Sequence, residues 1–72
     1  MKEIGDVVTY FDEHGKPHQA LVTAVWGENC VNLVYVSSDE SKRDPNGRQI
    51  ERASSVTRKN PEHTAYGRCF EG

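Results

Sequence analysis

Gln19-Ala20-Leu21-Val22-Thr23-Ala24-Val25-Trp26, then Gly27-Glu28-Asn29, then Cys30-Val31-Asn32-Leu33-Val34-Tyr35-Val36 is the stretch that decides the fold. Both runs are dense in β-branched and aromatic side chains, too short for a stable helix and bounded by turn formers, so each reads as a strand. Period two sets Ala20, Val22, Ala24 and Trp26 against Leu21, Thr23 and Val25 in the first run. In the second it sets Val31, Leu33 and Tyr35 against Asn32, Val34 and Val36. Gly27-Glu28-Asn29 has the length of a hairpin loop, with a Gly and an Asn available for a left-handed position. The first strand is apolar on both faces, which suits a small barrel whose interior takes one face while loops partly cover the other. In this register Trp26 points with the core residues and is expected to anchor the hairpin.

Working outward, Val7-Val8-Thr9-Tyr10-Phe11 is a first strand introduced by Gly5-Asp6, and Asp12 to His18 collects the turn formers of a connecting loop. After Val36, residues 37–48 carry no periodic apolar content and end in Asp44-Pro45-Asn46-Gly47, whose order matches a type I turn. This segment reads as a long surface loop. Gln49 to Ala53 resumes partial alternation as a fourth strand with Ile50 its one large apolar residue. Ala53-Ser54-Ser55-Val56 fits either a single 3₁₀ turn or the start of a fifth strand. The chain divides into a barrel domain over residues 1–59 and a segment 60–72 that is either a polar tail or a closing edge strand, built on Tyr66-Gly67-Arg68-Cys69-Phe70. The expected fold is all-β, a small barrel of four to five antiparallel strands.

The order Gly5-Asp6-x-Val8-x-Tyr10, Ala20-x-Val22-x-x-Val25, Val31-x-Leu33-x-Tyr35 resembles the opening of SH3-like barrels such as Tudor and KOW domains. Over more of its length the chain is similar to a family of small proteins encoded by bacteriophages and prophages, through Gly5 to Val8, Ala20 to Gly27 and Gly47 to Arg52. The first likeness implies an SH3-like barrel and the second a phage origin. Neither implies one function, since this barrel hosts many unrelated roles. The phage family carries a His after the Ser-Val pair and Tyr-Trp near the end. Here Thr57-Arg58 follows Ser55-Val56 and Cys69-Phe70 stands near the end, so no site built on those positions is implied.

Seventy-two residues make one domain near the lower limit for a self-sufficient core. The start Met1-Lys2-Glu3-Ile4-Gly5 has no hydrophobic signal region and no run is long enough to span a bilayer, so an intracellular protein away from membranes is expected. Cys30 and Cys69 are far apart and outside any Cys-x-x-Cys pair, which makes them free thiols, with Cys30 a small buried hydrophobe. His14 and His18 have ligand spacing, but Gly15 and Pro17 between them leave no fixed geometry, so two solvated loop histidines and no metal are expected. No nucleophile elbow, P-loop or dinucleotide fingerprint is present, so the chain reads as non-enzymatic and free of cofactors.

Charge is uneven. Residues 1–41 hold two lysines against seven carboxylates, while residues 42–72 hold seven Lys or Arg against four carboxylates. The expected role is a binding module that contacts a protein, either a virion component or a host factor, in the host bacterial cytoplasm or on the virion. The expected contact runs through the aromatic end of the barrel, Tyr10 and Tyr35, and through Arg48 and Arg52, placed on one face by period two after the Asp44–Gly47 turn. Tyr10, Phe11, Trp26 and Tyr35 with Asp39 could also converge as a cation cage, against the plainer reading of Trp26 and Tyr35 as core. The alternative role is nucleic-acid binding by the basic second half, which the net charge of −2 opposes.

Overall fold

The computed structural model describes residues 1–59 and 68–72, and among these every regular element is a strand. Five strands close into a barrel in the order β1 (Val7–Phe11), β2 (Pro17–Gly27), β3 (Cys30–Val36), β6 (Ile50–Arg58) and β7 (Cys69–Glu71), as expected for a small SH3-like barrel. The segment between β3 and β6 is more ordered than its composition suggests. It folds into a two-stranded hairpin, β4 (Arg43–Asp44) with β5 (Gly47–Arg48), tied back by Ser37 N–H to Gln49 O and Gln49 N–H to Lys42 O. The β2–β3 turn is one residue shorter than expected, because Gly27 already pairs with Cys30.

β1–β2, β2–β3, β3–β6 and β1–β7 are antiparallel, whereas β6–β7 is parallel. The parallel pair is a consequence of number. Directions alternate around an antiparallel sheet, so a ring of five strands must contain at least one parallel neighbour pair. Cys69–Glu71 is therefore no edge strand but the stave that closes the ring, and the barrel extends beyond residue 59. Tyr66 and Gly67, the start of the expected closing segment, lie outside the described residues.

The interior is filled by Val8, Tyr10, Ala20, Val22, Val31, Leu33, Ala53, Val56 and Phe70, with Val25 and Tyr35 packed against them. Phe70 and Leu33 are the largest wholly buried side chains. Trp26 is not among them: it is 66% exposed. Strict alternation fails because the register of β2 against β3 shifts between Val22 and Ala24, where Leu33 opposes Val22 but Asn32 opposes Ala24. One extra residue in β2 inverts the parity beyond it, so Val25 turns in against Val31, and Trp26, itself the extra residue of a further shift between Val25 and Gly27, turns out. A bulge in β6 opposite Asn32 leaves Ser55 at φ 53° and makes Ala53–Val56 part of one long strand. Cys30 is only half-buried, and the buried thiol is Cys69.

Phe70→Ala should cost about 3–5 kcal/mol, comparable with the whole stability of so small a domain, and leave the chain largely unfolded. Trp26→Ala should cost only about 1 kcal/mol and retain a cooperative urea transition by circular dichroism, since it removes one exposed hydrogen bond and little packing.

Candidate functional site

The bulge in β2 shapes the outside of the barrel as much as the inside. Beyond it Ala24, Asn32 and Trp26 face outward, and before it Leu21 stands opposite Val34, which stands opposite Arg52. One row further along, Val36 is paired with Ile50. Val7 flanks Leu21 on β1. Val7, Leu21, Val36, Ile50 and Trp26 are all exposed, Ile50 at 67%. Two shallow depressions of about 330 and 520 Å³ meet on this face at Val34, the first walled by Val7, Leu21, Val36 and Ile50, the second by Thr23, Asn32, Arg52 and Ser54. Arg52 is the one charged side chain on the outward positions of the β2–β3–β6 sheet between Gln19 and Trp26, Val31 and Val36, and Ile50 and Thr57.

Trp26 is held in place on this face. Its Nε1–H donates to Asn32 Oδ1 at 2.9 Å, and the same oxygen accepts Ser55 N–H at 2.8 Å. One side-chain amide thus satisfies the backbone of the β6 bulge and orients the exposed indole. The apolar second face of the central strands was visible in the sequence as a strand hydrophobic on both sides. Loops were expected to cover it, and among the described residues it stays open.

The aromatic end of the barrel is built differently. Tyr10 is only 2% exposed, packing on Tyr35 with ring centroids 4.7 Å apart, and His18 lies 4.9 Å from Tyr35. A buried Tyr10 cannot offer the partner contact expected of it. The rings stack on one another and leave no space between them for a cation, and Trp26 stands elsewhere. Below them Asp12 gathers the β1–β2 loop: its carboxylate accepts the backbone N–H of His14 and Lys16 and pairs with His18 Nε2 at 2.9 Å. His18 is thus an interior hydrogen-bonded residue and not a solvated loop histidine, while His14 is exposed. A cleft of about 380 Å³ opens at this end between Tyr10, Tyr35, Asp39, Glu51, Arg52 and Arg68. Several of its charged walls are engaged within the fold. Lys42 pairs with Glu51, and Asp39 accepts the hydroxyl and N–H of Ser41. Burial and the neighbouring Glu51 carboxylate push the Tyr35 hydroxyl up to about 12.

Arg48 and Arg52 do not share a strand. Arg48 ends β5, where it donates to the carbonyls of Ser37 and Ser38 and pairs with Glu40 at 3.0 Å. It braces the loop. Of the four expected contact residues, Arg52 lines the second depression of the open apolar face as well as the cleft at the aromatic end, and Tyr35 is among the residues lining the first depression. Other basic residues are also occupied: Arg58 lies over Phe70 and donates to Glu28 O and Asn29 Oδ1, and Lys59 sits 4.6 Å over Phe11 and near Glu71. Among the described residues no three His, Cys, Asp or Glu side chains form a metal site, and no helix is long and apolar enough to cross a membrane. His63 lies outside the described residues.

No family model matches the chain, and no curated protein or solved structure matches it.

The Asp12 knot makes an acid-sensitivity prediction. Burial raises its carboxyl pKa, but the bonds from His18, Lys16 and His14 outweigh this and hold it below the usual value of 3.8. A group depressed in the folded state stabilises above its unfolded pKa, and that contribution is lost as pH falls from about 5 through the folded value. Asp12→Asn should therefore melt lower than the parent at neutral pH and show a shallower loss of melting temperature below about pH 5.

Proposed function

We propose that this barrel is a non-enzymatic binding module whose partner is a protein, met on the outer face of β2, β3 and β6. The observation that carries the reading is the composition of that face: Leu21, Val34, Val36, Ile50 and Trp26 with Arg52 as its single charge, in a chain of which 28% is charged. Protein interfaces combine a charge-depleted apolar centre with Trp and Arg as the residues that carry binding energy. Exposed apolar surface of this extent marks interaction sites on small soluble domains. A nucleic-acid partner would draw on a cluster of free cations, and of the seven Lys and Arg in the basic second half Lys42, Arg48, Arg58 and Lys59 are tied up within the fold.

The likeness to phage-encoded proteins directs the search to virion components and host factors. Immobilised chain should retain a protein from phage-infected cells in high salt. Ile50→Glu with Trp26→Ala should lose it at least tenfold, while Glu13→Ala with Lys16→Ala, on the β1–β2 loop, should not. Binding of DNA or RNA in gel shifts that falls steeply between about 50 and 200 mM salt would instead support the basic-surface reading and sink this one.

A further inference from the structure

We infer that the outer β2–β3–β6 face pairs with the same face of a second copy of this chain, forming a face-to-face dimer; this rests on the reading of that face as protein-binding.

The first support is electrostatic. A surface that meets its own copy must be complementary to itself, and the chain as a whole, at net charge −2, repels its copy. On this face the repulsion is absent, since the outward sheet positions carry no carboxylate and only Arg52 is charged. Arg52 lies on β6, at one side of the face, and a two-fold axis running along the strands carries β6 of one copy over the β1–β2 side of the other. The two guanidiniums then stand a full sheet width apart. A strongly charged partner finds no complementary charge pattern here, whereas the same apolar face of a second copy matches it.

The second support is size. Four strands from Val7 to Arg52 and the rows from Ile50 to Trp26 give a strip roughly 15 Å wide and 20 Å long. With side chains standing off it, such a strip provides on the order of 500 Å² per copy, and two copies reach the ~1,000 Å² that a specific interface requires. Sheets stack face to face about 10 Å apart with their apolar side chains interleaved, which the Leu21–Val34 and Val36–Ile50 rows and the hollows between them permit. Gln19, Thr23, Asn32 and Ser54 supply the polar groups of the same face, interspersed with its apolar residues. Chains of this length commonly supplement a small core by oligomerising, and among the described residues the largest wholly buried side chains are one Phe, one Leu, three Val and a Ser.

Sedimentation equilibrium of the intact chain, from low micromolar to several hundred micromolar, reads the proposal directly. The expected mass rises from 8.1 kDa to twice that value, and Trp26 emission shifts to the blue over the same range as the indole leaves water. Ile50→Glu and, separately, Val36→Asp should each weaken pairing about tenfold or more while keeping the parent's far-ultraviolet circular dichroism. A chain that stays single throughout with unshifted Trp26 emission overturns the dimer. If Ile50→Glu then still abolishes capture of a different protein, the protein-binding reading of the face survives. A dimer indifferent to both substitutions pairs through another surface and overturns the inference, as does growth beyond two chains, which a closed two-fold pair forbids.

Discussion

Closure of the barrel by β7 is the constraint on which the rest of the molecule depends. Without Cys69–Glu71, β1 and β6 would each present an open row of backbone donors and acceptors. The strand also delivers Phe70, wholly buried, into the interior. Its ends are tied on both sides: Lys59 N–H donates to Phe70 O at 2.7 Å, and Arg68 N–H donates to Asp12 O. A three-residue segment near the end of the chain thus completes the ladder and supplies the largest wholly buried side chain among the described residues.

The register shifts in β2 and β6 have the next largest effect. In a strand of perfect alternation, Trp26 would share the interior with Ala20 and Val22. The extra residue near Thr23 and the left-handed Ser55 on β6 face each other across β3, and Asn32 between them bonds to both disturbed strands. Bulges bend the sheet strongly enough to close a barrel of five short strands. Here the same irregularity moves an indole from the expected core to the surface and aligns it with Leu21, Val34, Val36 and Ile50.

The two ends of this surface differ in a way that bears on function. At the aromatic end, Asp12, His18, Tyr35, Glu51 and Lys42 satisfy one another, and no buried polar side-chain atom among the described residues lacks a partner. A ligand there would have to break existing hydrogen bonds before making its own. On the outer sheet face the reverse holds. Apolar side chains remain in water, and covering them is favourable without prior disruption.

Much of this architecture was legible in the sequence, because side-chain alternation and turn residues are local properties. The strands at Val7–Phe11 and Cys30–Val36, the central hairpin, the inward set Val31, Leu33 and Tyr35, and the shared face of Ile50 and Arg52 all follow from period two and from Gly, Asn and Pro at the turns. The candidate face was half legible: a strand apolar on both sides announces two buried faces, or one buried and one waiting for a partner. What alternation cannot reveal is an inserted residue, since a bulge changes parity without leaving a residue type that announces it. Trp26 was therefore read into the core. Nor can local pattern say which distant segments pair. Only the closed ring sets Cys69–Glu71 between β1 and β6, buries Tyr10 beneath Tyr35, joins His18 to Asp12 and draws Arg48 back onto its own loop. Those are contacts between residues far apart in the chain or across a turn, decided by the geometry of five strands that must meet.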